Sequence, residues 1–90
     1  MNAITINLGK ALISPKANEA LTTLNHPFSN LLNRHALCDW SETDAEDIRA
    51  NRDALINGGI IFSAYTIETT RFWIITEADK SSTTIILAGE

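Results

Sequence analysis

Cysteine is almost missing from this chain. Cys38 stands alone, with no CxxC or Cys/His spacing around it, so neither a disulfide framework nor a structural zinc site can be assembled. That fits a reducing compartment, and the expected location is cytoplasmic. Long apolar runs are missing as well. Nothing approaches the roughly 18 consecutive apolar residues that a membrane span needs, and residues 1–8 have neither the basic stretch nor the apolar core of a secretory leader. Cations are the scarcer charge: seven Lys plus Arg against eleven Asp plus Glu give a net charge of −4. This balance disfavours phosphate backbones and anionic lipid, so direct nucleic-acid or membrane binding is not expected and a protein partner is. With two prolines and four glycines there is no linker to divide the chain, and no period repeats. Gly-rich phosphate loops, HExxH, GxSxG and EF-hand spacings are all lacking, so no metal or cofactor is anticipated.

What the chain does have is 44% hydrophobic residues in 90, enough for a modest core in a single domain spanning residues 1–90. The last third organises the rest. Phe72-Trp73-Ile74-Ile75 and Thr84-Ile85-Ile86-Leu87 flank a polar break, as in an antiparallel hairpin, and Ile60-Ile61-Phe62 to Tyr65-Thr66 supplies a third run upstream. Further back, Ile4, Ile6 and Leu8 alternate with polar residues and suggest a fourth, edge strand that Gly9 ends or bulges. Ser14-Pro15 starts a helix with its stripe at Ala17, Ala20, Leu21 and Leu24. Pro27 opens a second, burying Phe28, Leu31, Leu32 and His35. A third begins with Thr43 and Glu46 as a capping box, carries Ala45, Ile48, Asn51 or Arg52, and Leu55, and ends at Asn57-Gly58-Gly59. The expected class is α+β, with short helices packed on a three- to four-stranded antiparallel meander. Leu21, Leu24, Leu31, Ile48, Leu55, Ile61, Phe72, Ile74 and Ile85 are the expected core. On alternation, Trp73 and Ile75 turn away from Phe72 and Ile74, with Ile86 beside them. That second apolar face is hidden either by a two-fold dimer or by the N-terminal segment folding across it.

Few residues invite chemistry. Arg34-His35 pairs a guanidinium with a group that titrates near neutral pH, but His35 falls on an apolar stripe, where a core histidine satisfied by hydrogen bonding is the preferred reading. Cys38 lacks the surroundings of a cysteine nucleophile. Asp39 and Trp40 join two helices, with Trp40 as an anchor. The polar stretch from Thr76 to Thr84 reads as a turn, or as a binding loop presenting Glu77, Asp79 and Lys80.

Several of these residues together are familiar. Arg34-His35, Asp39-Trp40, Asp47, Asn51, Ala54-Leu55, Gly58-Gly59, Ser63-Ala64-Tyr65, Trp73-Ile74-Ile75-Thr76-Glu77-Ala78-Asp79 and Thr83-Thr84 resemble a family of small uncharacterised bacterial proteins. These occur on plasmids and other mobile elements, and some are labelled type I restriction subunits. The resemblance covers about residues 8–87, most specifically the Trp-Ile-Ile-Thr-Glu-Ala-Asp run. The family's Gly-Asp-Trp-Gly here reads Cys38-Asp39-Trp40-Ser41, and its Asp-Arg-Ser reads Asp79-Lys80-Ser81. It implies a mobile-element setting but no particular activity, and a methyltransferase is not expected of a chain without a glycine-rich βα turn.

Two functions are therefore in view. The first is a small acidic, non-enzymatic factor that binds a protein, as an inhibitor or regulator of host defence or of nucleic-acid-processing machinery, through Asp39, Trp40, Trp73, Glu77, Asp79 and Lys80. The second is a ribonuclease or ribonuclease toxin of the barnase or RelE type, in which Arg34, His35, Ser63, Tyr65 and Thr84 converge on one pocket. The negative charge weighs against the second.

Overall fold

The computed structural model describes residues 5–90. In chain order it contains β1 (Lys10–Ile13), α1 (Pro15–Thr23), α2 (Phe28–Ala36), α3 (Ala45–Asn57), β2 (Ile61–Ile67), β3 (Thr70–Thr76) and β4 (Ser82–Leu87). The class is α+β, as the two hydrophobic periods require. None of the described helices is long and apolar enough to cross a membrane.

The sheet order is β1-β4-β3-β2. β2, β3 and β4 form the expected antiparallel meander, with Trp73 opposite Ala64 on one side and Ile86 on the other. The fourth strand corrects the sequence reading twice. It is residues 10–13, with 5–9 outside any strand, and it runs parallel to β4, so the sheet is mixed. Of the earlier alternation, Ile4 lies outside the described residues, while Ile6 is buried and bonds through its amide to the Ala36 carbonyl. Gly9 explains the delay. Its φ is +62°, and a Cβ there would sit 2.4 Å from the Lys80 carbonyl oxygen, so the chain passes the β3–β4 turn as bare backbone before pairing can begin.

All the helices lie on one face of the sheet. α1 packs on β4, α2 on β3 and α3 on β2. Between helices and sheet sit Ala17, Leu21, Leu31, Leu32, Tyr65, Phe72, Ile74 and Ile85, and a second cluster joins Ile6, Ala54 and Ile61. Ser14 caps α1 by accepting from the Ala17 amide, as its position before Pro15 suggests. At α3 the cap is Asp44, which accepts from the Asp47 amide, in place of the Thr43/Glu46 box. Pro27 stands one residue ahead of α2, and Phe28 is 50% exposed instead of buried. α2 ends with Asp39 N–H bonding the Arg34 carbonyl and Cys38 N–H the His35 carbonyl, with Cys38 left-handed at φ +60°.

The buried face of α3 is rotated from the expected one: Asn51 and Ala54 go inward, Leu55 is 36% exposed, and Ile48 and Leu24, the C-cap of α1, are only half-buried. The reason is polar. The Asn51 side chain donates to the Phe62 carbonyl at 2.7 Å and accepts from the Phe62 amide at 2.9 Å, closing the outer edge of β2 like a one-residue strand. Asn51→Leu should therefore cost about 1–3 kcal/mol despite adding apolar surface, because it strands two backbone groups. Leu31→Ala should cost about 2–5 kcal/mol through its cavity. Urea unfolding measures both, and losses well under 1 kcal/mol would contradict the stated packing.

Candidate functional site

His35 is fully buried and sits in a chain of side chains on the helix-covered face. Its Nδ1 lies 2.6 Å from Ser63 Oγ and its Nε2 2.8 Å from Thr76 Oγ1; Thr76 Oγ1 is 2.7 Å from Thr83 Oγ1, which donates to the Leu8 carbonyl at 2.8 Å. The last bond fixes all the others. Thr83 has one proton, committed to Leu8, so Thr76 must donate to Thr83 and His35 must donate to Thr76 from a protonated Nε2. Nδ1 is then the acceptor for the Ser63 hydroxyl. Burial pushes the His35 pKa down to about 4, so the imidazole is neutral, as this arrangement requires. Ser63, Thr76 and Thr83 are likewise fully buried.

Beside this chain lies a polar group at the end of α2. The Arg34 guanidinium stands 4.1 Å over the Tyr65 ring and its Nε donates to Asp39 Oδ2 at 2.8 Å. Tyr65 donates its hydroxyl to the Asp39 carbonyl at 2.6 Å, and burial pushes its pKa up to about 12. Hydrogen bonds from Ser41, helped by Arg34, hold the Asp39 carboxyl below its ordinary value. Glu42 accepts from the Thr66 amide, and Arg71 donates to the Glu42 carbonyl. With its side chains roughly a third exposed, the Arg34–Asp39 pair contributes on the order of 0.2–1 kcal/mol. Its evident work is to brace the loop from α2 to α3 against β2. The Cys38 thiol is pushed up by burial and is no poised nucleophile.

Arg34, His35, Ser63 and Tyr65 are thus neighbours, but Thr84 is not among them. It pairs with Ile75 and Leu12 on the opposite face, so the five residues share no pocket. The surface hollows flanking α1 do not reach His35. The other set is scattered too. Trp40 packs with Ile6, Ala54 and Ile61 on the helix side. Glu77, Asp79 and Lys80 form the β3–β4 turn, where Asp79 accepts from the Ser81 amide and Lys80 Nζ donates to the Gly59 carbonyl. Trp73 alone reaches the uncovered face.

That face has an order of its own. One row across the sheet reads Phe62, Ile75, Thr84, Leu12, and the next Ala64, Trp73, Ile86. Phe62 and Trp73 meet edge to face with centroids 5.7 Å apart. Leu12 is 42% exposed, and Phe62, Trp73, Ile75 and Ile86 are half-buried with no helix above them. Among the described residues the N-terminal segment does not cover it: Ile6 and Leu8 pack on the helix side. Sequence reasoning named Trp73, Ile75 and Ile86 here but missed Phe62 and Leu12. It also missed Thr76 and Thr83 as core residues, although Phe72, Ile74 and Thr76 alternate in register.

No protein-family model, curated protein or solved structure matches this chain.

His35 generates a pH prediction. The imidazole titrates near 6.5 when unfolded and about 4 when folded, so in that window the unfolded chain holds a proton that the native chain does not. Stability then rises with pH across the window, and acidification from about pH 6.5 to 4 should remove roughly 3 kcal/mol. His35→Gln should be less stable at neutral pH but show a flatter profile over the same range. Parallel profiles in urea unfolding would exclude this role.

Proposed function

We propose that the protein is a small, acidic, non-enzymatic binding factor that engages a protein partner through the helix-free face of its sheet. The observation that carries this is the one-sided covering: three helices shield one face, while Leu12, Phe62, Trp73, Ile75 and Ile86 form a contiguous apolar group on the other. A soluble domain that leaves such a group uncovered commonly uses it for contact. Trp73 lies in the middle of the group and is the anchor, since buried tryptophans dominate association energies. The negative net charge favours a partner with a basic rim, which would steer approach around the apolar centre. The family resemblance adds the setting: a protein of a plasmid or other mobile element, working in the cytoplasm as an inhibitor or regulator of host defence or nucleic-acid-processing machinery. The ribonuclease reading draws less support, because its imidazole is neutral, sealed from solvent and satisfied on both nitrogens.

The test is site-specific photo-crosslinking from position 75 in a bacterial host, with position 46 on α3 as the control. Position 75 should capture one discrete protein that position 46 does not, and Trp73→Ala, measured below its own lowered melting temperature where the chain is still folded, should weaken that complex by about thirtyfold, equivalent to some 2 kcal/mol. Equal capture from both positions, or a complex indifferent to Trp73, would overturn the proposal. Growth arrest on induction that disappears in a folded His35→Ala variant would instead favour the ribonuclease.

A further inference from the structure

The two edges of the sheet are treated differently. At β2 the outward backbone groups of Phe62 are both bonded by Asn51, and the outward amide of Thr66 is bonded by Glu42. That edge is closed at these positions, and Ala64 between them is buried. At β1 the amides of Lys10 and Ser14 donate to Ser81 and Ile85 beside β4, so the alternation of a parallel ladder turns Ala11 and Ile13 the other way. Their N–H and C=O groups find no partner among the described residues, and Lys10, Ala11 and Leu12 are exposed. An unprotected edge of this kind is a template for another strand.

From this we infer that β1 pairs with β1 of a second copy of this chain, antiparallel, across a two-fold axis at Leu12. The register follows from which groups are free. Ala11 and Ile13 of one copy exchange both hydrogen bonds with Ile13 and Ala11 of the other, and the two Leu12 residues form the close, non-hydrogen-bonded pair on the axis. The ends of this register are complementary in charge. Lys10 of each copy falls opposite Ser14 of the other. Ser14 donates to Glu90 Oε1, which also accepts from the Leu87 amide, so a carboxylate is already fixed beside it. These bonds hold the Glu90 carboxyl below its ordinary value, keeping it charged. Lys10 forms no ion pair among the described residues of its own copy. The dimer thus gains two Lys10–Glu90 contacts between copies, at a carboxylate that Lys16 of its own copy also faces. On the open face, the row Phe62, Ile75, Thr84, Leu12 continues into its symmetry mate, giving one apolar face twice as wide.

This inference does not depend on the partner reading above, and its readout, molecular mass, is separate from capture. Sedimentation equilibrium from low to high micromolar concentration should show a reversible monomer–dimer mixture. Ala11→Pro removes an outward N–H and leaves the ladder to β4 intact, so it should weaken dimerisation at least tenfold with an unchanged monomer melting temperature. Lys10→Glu and Glu90→Lys should each weaken it by about five- to tenfold, and their combination should restore it, a result that a merely structural role for either residue would not produce. A native chain that stays monomeric throughout the range overturns the inference. So does a dimer that survives Ala11→Pro and is lost in Trp73→Ala, which would place the contact on the open face.

Discussion

The hydrogen-bonded chain from Ser63 through His35, Thr76 and Thr83 to the Leu8 carbonyl holds together elements that are distant in sequence. It links β2, α2, β3, β4 and the segment before β1, and it does so inside the core, where each unmade bond would cost about 1–3 kcal/mol. Its order is set from one end. Because a backbone carbonyl can only accept, every hydroxyl and the imidazole tautomer upstream of Leu8 has a single permitted orientation. Burial keeps the histidine neutral, and the neutral form has one donor and one acceptor, as the chain requires. The residue that looked most like a general base is therefore the structural centre of the domain.

With the polar demand around His35 met this way, the helices are free to lie entirely on one side. The consequence is an asymmetric sheet. One face is sealed, while the other carries Phe62, Trp73, Ile75 and Ile86 without a helix. One edge is plugged at Phe62 and Thr66 by Asn51 and Glu42, while the other presents backbone groups at Ala11 and Ile13 that find no partner among the described residues. A domain designed only to stay folded and soluble would blunt both edges and cover or charge both faces. Here the two unprotected surfaces are adjacent, meeting at Leu12, which belongs to the open face through its side chain and to the open edge through its strand.

How much of this was legible in the chain depended on whether a residue obeyed a simple period. The meander was readable because the runs around Ile61, Phe72 and Ile85 are dense in β-branched and aromatic residues and are separated by polar breaks, and the period of two within a strand turned Trp73 and Ile86 to one side. β1 was not, since Ile4, Ile6 and Leu8 alternate better than residues 10–13 do. What decided the matter was the squeeze of Gly9 against the Lys80 carbonyl, a long-range contact that leaves no local signature. In α3 the hydrophobic stripe chose Leu55, but two hydrogen bonds to Phe62 outweighed one leucine and brought Asn51 and Ala54 inward. Thr76 and Thr83 were masked by their neighbours. Lying next to the polar turn they read as part of it, although their parity with Ile74 and Ile85 places them in the core. The ribonuclease set failed at Thr84 by the same arithmetic, one residue out of phase with Thr83.

That one-residue difference also explains why the outer face stays outer. Both faces of β3 and β4 are apolar enough to be buried, so hydrophobicity alone would tolerate a slip in which Trp73 and Ile86 pack under the helices. A slip by one residue, however, exchanges the faces completely. It would carry Thr76 and Thr83 away from His35, leaving a buried imidazole without its acceptor and the Leu8 carbonyl without its donor. The polar chain adds little net stability over an apolar core of the same shape, but it makes the alternative register costly. In this molecule the buried histidine determines which residues meet the solvent.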